Sequence, residues 1–378
     1  MVPNYLCWIG GFSTAGPVSA LARRLVLGVM AAAVAACGAP RGASPGIDAA
    51  ACADPGGCDG SPAGDARSCT PVSTDGRRLL SEMGLYADIA SLTLAAGVTE
   101  YQPAYALWSD GADKRRFIAL PDGARIDTAD MDHWRFPVGT KLFKEFALDG
   151  QRLETRVIER TAATGGDADY TLSAFVWLAG GCDAVETPFG ASNVLGTTHD
   201  VPDSGQCLAC HAGEPGRVLG FSAIQLAKPG PAPTLASLAT SGRLTVAPPA
   251  PEARVPGPPA TAAALGYLHA NCGHCHNPSG VAPANTLSMN LRLNVADRTP
   301  QATTIWRTTV DVATEAFHTP GIAKRVASHD PGTSALVYRM TKRRTVAQMP
   351  SLATKTVDSD GVAVVQAWIS SLPAPASP

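Results

Sequence analysis

The sequence predicts an α+β protein in which a β-rich, sandwich-like part precedes a mainly helical one. Three observations carry this. Between residues 115 and 178, short runs of β-forming residues alternate with turn signals. Two later segments, 260–272 and 358–372, space their apolar residues as helices do. Between these regions, residues 227–260 are rich in proline, alanine and glycine and read as a linker or a surface-hugging loop.

In chain order, residues 1–37 read as a leader and not as part of the fold. Arg23 and Arg24 precede an apolar run, 25–36, that is too short to span a bilayer comfortably. The run ends in Val34-Ala35-Ala36-Cys37, which resembles a bacterial lipobox. That resemblance implies removal of a signal peptide and lipidation of Cys37, hence a membrane anchor. An ordinary signal peptide cleaved nearby is the alternative. Gly38 follows the cysteine where an aspartate would signal inner-membrane retention, so the same resemblance favours the outer membrane. Export places the mature chain in the periplasm or at the cell surface, an oxidising setting. Residues 38–72, almost free of large apolar side chains, read as a flexible Gly/Ala/Pro tether.

Residues 73–200 form the expected β-rich domain. Leu79, Leu80, Met83 and Leu85 fall near helical spacing at its start. A Pro-Asp-Gly turn at 121–123 then separates two short extended runs. Asp149-Gly150 lies between TKLFKEFAL and QRLETRVIER, a hairpin signature. YTLSAFVWL, from Tyr170, reads as a further strand. Short strands with such punctuation suggest a sandwich or partial barrel. Trp108, Ser109, Asp110, Lys114, Arg115, Lys144, Glu154 and Arg156 form a polar-rich set here. They read either as a substrate or partner surface or as turn hydrogen bonds and cross-strand ion pairs.

Residues 201–259 hold a first cysteine motif and the Pro/Ala linker, and residues 260–378 the last domain. TAAALGYLHANC is expected to be a helix running into a second cysteine motif. In the C-terminal helix, Asp358 or Ser359 can cap the start and Pro373 ends it. Val365, Trp368, Ile369 and Leu372 follow i, i+3, i+4, i+7 spacing along it.

Composition narrows the partners. A net charge of -2, with 16% charged residues and no basic run interleaved with aromatics, argues against nucleic acid. Of ten cysteines, Cys7 leaves with the leader, Cys37 would carry lipid and four belong to the motifs. Cys52, Cys58, Cys69 and Cys182 remain, and disulfides among them are expected with three pairings open.

The chemistry concentrates in Cys207-Leu208-Ala209-Cys210-His211 and Cys272-Gly273-His274-Cys275-His276. Zinc, a redox disulfide and covalent haem all use such crowding. A thioredoxin-like CxxC needs a βαβ context, which the proline- and asparagine-bearing surroundings do not offer. Paired zinc knuckles are usually about 15–20 residues apart. Cys210 and Cys272 are separated by several times that spacing. Neither alternative needs a histidine directly after each pair. Haem does: two thiols on one turn can each add to a vinyl group, and the next residue becomes the proximal iron ligand. The expectation is two covalent haem c groups on Cys207, Cys210, Cys272 and Cys275, with His211 and His276 as metal ligands.

Gln348-Met349-Pro350 lies in a polar loop well downstream of His276, where a thioether does not serve a helix core. Met349 is therefore the expected second axial ligand opposite His276, and Met340, in LVYRM, is expected to be core. For the first haem, His199, His133, His269 and Met289 are the candidates, with an open iron as a further option. His274 is expected to face solvent, and His318 and His329 to be structural.

YLHANCGHCHNPSG, SALVYRM, QMPSL and VVQAWISSL resemble, in that order, a class I cytochrome c domain. The resemblance implies a small helical bundle around haem, with His276 and Met349 axial. Residues 76–372 as a whole resemble a family of bacterial exported dihaem c-type cytochromes of uncharacterised role. The stretches that carry this are YALWSDGADKRRFIALPDG, HWRFPVGTKLFKEF, LETRVIER, THDVPDSGQCLACH and LGFSAIQL. It implies electron transfer with an unknown redox partner protein. Two other readings stay open: a haem enzyme with an open site at the first haem, and a β-domain binding module with a redox-sensing partner domain.

Overall fold

The computed structural model describes residues 75–231, 233–248 and 253–374. The leader, Cys37, the tether and Cys52, Cys58 and Cys69 lie outside these described residues. All described residues fall in one compact unit, Asp54–Pro378.

The first elements are a 3-10 turn, Leu80–Met83, and a small antiparallel pair, β1 (Tyr86–Asp88) and β2 (Thr93–Leu94). Six strands follow: β3 (Val98–Glu100), β4 (Asp113–Ala119), β5 (Lys141–Leu148), β6 (Gln151–Arg160), β7 (Tyr170–Trp177) and β8 (Ala184–Glu186). They pair in chain order as one antiparallel meander. Asp149 and Gly150 join β5 to β6 with φ 50° and φ 81°. Two consecutive positive φ angles are what a two-residue type I′ turn requires, and its twist suits the flanking strands.

The β-rich half is thus α+β in character but not a sandwich of two comparable sheets. One face of the meander is covered by the segment before β3: Leu80, Met83, Leu85 and Tyr86 pack on Phe117, Phe143, Val157, Phe175 and Trp177. A 3-10 turn and a two-stranded ribbon stand there in place of a second full sheet. The opposite face turns toward the rest of the molecule.

The helices described after the sheet are α1 (Ser204–His211), α2 (Ala223–Leu226), α3 (Leu235–Thr240), α4 (Pro259–Asn271), α5 (Thr304–Thr309), α6 (Ala335–Met340) and α7 (Ser359–Ser371). The expected linker is not merely a connector. Thr234 caps α3 by accepting from Ser237 N–H, and Leu235 and Leu238 are buried. Beyond α3, Leu244 bridges Ile126 beside the sheet. Its leucines, spaced among alanines and prolines, bury enough surface to fix the segment in the core.

Helices α4 and α7 pack together. Val365, Trp368, Ile369 and Leu372 are all buried, and Asp358 caps α7 by accepting from Gly361 N–H at 2.9 Å. The crossing is tight at Gly361, where a Cβ would lie 2.3 Å from Tyr267 Cζ. Tyr267 then donates its hydroxyl to Asp358 at 2.9 Å. The main core joins these helices to Ile118, Ile126, Trp134, Phe136 and Leu142 of the β-rich half, and Met340 belongs to it. No helix among the described residues is long and apolar enough to cross a membrane.

Candidate cofactor site

Helix α1 carries the first motif. Asp203 starts it by accepting from Gln206 N–H at 2.8 Å. Cys207 and Cys210 then occupy one turn and His211 ends the helix. The second motif lies just past the end of α4. There Cys272 O accepts from both Cys275 N–H, at 3.1 Å, and His276 N–H, at 2.9 Å, so one further turn is held without a regular helix.

The two motifs, far apart in sequence, are in contact. Cys275 Sγ lies 3.9 Å from Ala209 O, and its thiol interacts electrostatically with that of Cys210. The interaction draws Cys210 well below the ordinary thiol range, helped by His274, and raises Cys275. His274 is therefore half-buried against the first motif and does not face solvent as expected. Gly213 makes the approach possible: a Cβ there would stand 2.4 Å from His274 O.

A polar clamp locks this junction. Arg292 Nη2 donates to Gly213 O at 2.7 Å and meets Glu214 Oε2 at 2.9 Å, while its Nε reaches Gly273 O at 3.3 Å. His133 Nδ1 pairs with the other Glu214 oxygen at 3.1 Å. That hydrogen bond raises the His133 pKa above its ordinary 6.5. None of these three residues was singled out together by sequence, because they come from three distant segments.

Histidine tautomers assign roles. His211 Nδ1 faces Arg217 O at 2.6 Å. A carbonyl accepts only, so Nδ1 carries the hydrogen and Nε2 keeps its lone pair. Arg217 reaches this position with φ 54°, a strained conformation for a non-glycine residue. Burial pushes His211 down to about 4, and burial with the Arg339 charge does the same to His276. Both rings are thus neutral near pH 7, the form that binds metal. His276 is 7% exposed and its Nδ1 has no hydrogen-bond partner among the described residues.

A cavity of about 310 Å³ opens between the sheet and α1. Cys207, Cys210 and His211 line it together with Tyr101, Val218 and Leu219. Its sheet wall is ordered by register. One row presents apolar Leu142 and Ile158, and the next is cationic, Arg116–Lys144–Arg156. Thiols, a neutral imidazole with a free lone pair, apolar walls and cations suit a haem with its carboxylates. At the second motif, Cys272, Cys275 and the buried His276 lie within one turn, and neither Cys272 nor His276 lines the cavity. Among the described residues, no three His, Cys, Asp or Glu side chains converge as a metal-ion site.

Of the candidates for the sixth position on the first motif's side, His199 alone lines the cavity. Its Nε2 lies 2.8 Å from Glu154 Oε2 and its ring leans on Phe146 at 5.4 Å. His269 Nδ1 accepts from Leu293 N–H at 3.2 Å, which puts the ring hydrogen on Nε2 and leaves no lone pair for a metal. His133 is engaged with Glu214, and Met289 packs against the main core. Met349 is half-buried and outside all three core clusters. Its N–H donates to Arg339 O at 3.1 Å, and no contact among the described residues places its thioether against His276.

The polar set of the β-rich half divides. Trp108, Ser109, Asp110, Lys144 and Arg156 line the cavity, and Glu154 neutralises Arg156. Arg115 points the other way and pairs with Glu100 at 2.8 Å. Arg116 was missed by the sequence reading, although strand alternation places it on the face of Lys114. Cys182 is unbonded, and the cysteines expected to pair with it lie outside the described residues. Comparison with family models, curated proteins and solved structures returned no match.

Proposed function

We propose that this chain is an exported dihaem c-type cytochrome that transfers electrons between unidentified redox partners, anchored to a membrane through Cys37. The observation that carries the reading is the contact between the two CxxCH motifs through Cys210 and Cys275. Haems bound there would supply one-electron chemistry at two adjoining centres. Cys207, Cys210 and His211 would hold one, and Cys272, Cys275, His276 and Met349 the other. The Arg217 carbonyl fixes the tautomer of His211, and Arg292 fixes the spacing of the motifs. The α4–α7 crossing, with the second motif at the end of α4, supports a class I cytochrome c-like arrangement of the C-terminal part.

Protein matured in a host with haem-attachment machinery tests this by pyridine-haemochrome counting. Two haems per chain are expected, falling to one in a Cys207→Ala, Cys210→Ala variant. One haem in the unsubstituted chain would overturn the dihaem reading. A second reading, a haem enzyme, is favoured by the His199–Glu154 pair in the cavity, which has the makings of a distal acid and base. Carbon monoxide separates the two: a spectral shift at the first haem marks an open site, and inert low-spin spectra mark a relay.

A further inference from the structure

The cationic row on the cavity wall is costly as it stands. Arg116, Lys144 and Arg156 lie directly opposite one another on β4, β5 and β6. Like charges in that relation destabilise a sheet, and burial adds desolvation. The bidentate Glu154 carboxylate, at 2.6 and 2.9 Å, neutralises Arg156. Arg116 is 8% exposed, and its side chain has no hydrogen bond or ion pair among the described residues. The Lys144 side chain has none either; its ammonium rests 4.8 Å from the centre of the Phe146 ring. Burial, then Arg116 and Arg156, push Lys144 well below its ordinary value, which reports the excess of positive charge.

We propose that Arg116 and Lys144 form an anion site that takes a carboxylate or small oxyanion inside this cavity. A guanidinium offers a planar fork that matches a carboxylate, and an ammonium beside it adds a point charge. The cavity, about 310 Å³, has room for far more than a water molecule. The site does not depend on the haem reading. The anion can be a carboxylate of a group attached at Cys207 and Cys210, or a diffusible ion such as phosphate.

The experiment uses the full chain from hosts with and without haem-attachment machinery, with haem counted in each preparation. Wild type, Arg116→Gln and Lys144→Gln are melted in increasing inorganic phosphate at constant ionic strength, and midpoint potentials are recorded wherever haem is present. If the anion is carried by an attached haem, phosphate stabilises only the haem-free chain, and both substitutions lower the first haem's midpoint. If the anion diffuses in, phosphate stabilises both forms and each substitution abolishes the response. A preparation with no haem would fail the haem reading, yet its phosphate response would still decide the site. No phosphate response in either form, with unchanged midpoints in the variants, overturns the proposal. Should a substituted chain fail to fold, the wild-type response in the two forms remains the deciding measurement.

Discussion

Arg292 is the residue on which the motif junction most depends. It reaches one carbonyl in each motif region and one carboxylate, with its side chain 13% exposed. Replacing it with methionine leaves Glu214 half-paired and two carbonyls without their donor. The expected cost is about 3–5 kcal/mol, read as a fall in the denaturant midpoint. Replacing Glu214 as well should return part of that loss, since the stranded charge goes with it. His133 adds a pH dependence of definite sign. Its folded pKa is raised above 6.5 by Glu214, so its contribution is fully present below 6.5 and is lost as pH rises through the folded value. The His133 contribution alone should therefore decline on going from pH 6 to pH 8, by less than about 1 kcal/mol because the imidazole is partly open to solvent. It runs against the opposite trend set by His211 and His276, whose lowered pKa values add stability as pH rises through 6.5. His133→Gln should make the rise in stability between pH 6 and pH 8 steeper than in the unsubstituted chain. An unchanged slope would mean that His133 contributes nothing to it.

At the scale of elements, two substitutions separate capping from packing. Asp203→Ala removes the α1 cap and should cost about 1 kcal/mol, measured by thermal melting. Gly361→Ala drives a methyl into the Tyr267 ring and should cost about 1–3 kcal/mol. The elements were legible where local chemistry alone decides them. Asp149-Gly150 announced its hairpin, and Asp358 with the Val365–Trp368–Ile369–Leu372 spacing announced α7. The single sheet was not legible, because the strand pattern of one covered meander matches that of half a sandwich. Nor was α3, whose leucines are too few to stand out from the alanines and prolines around them.

For the whole molecule, the candidate site was legible as two motifs and illegible as one place. Cys207, Cys210, His211, Cys272, Cys275 and His276 stood out through their spacing. That Gly213 admits His274, and that Arg292 spans the gap, depends on contacts between residues distant in the chain, for which the sequence carries no local signal. The Cys210–Cys275 contact also imposes an order of assembly. In an oxidising compartment, two adjoining thiols are one oxidant away from a cross-link. A chain that closed before its thiols were capped would seal its own attachment points. Mild oxidation of chain made without attachment machinery should therefore yield a Cys210–Cys275 linked peptide on mapping by mass spectrometry. Its absence after oxidation would mean that the motifs do not dock until they are loaded. If the proposed haems are attached and the linked peptide forms, loading would have to precede closure, and the long stretch of chain between the motifs would set how much time it has.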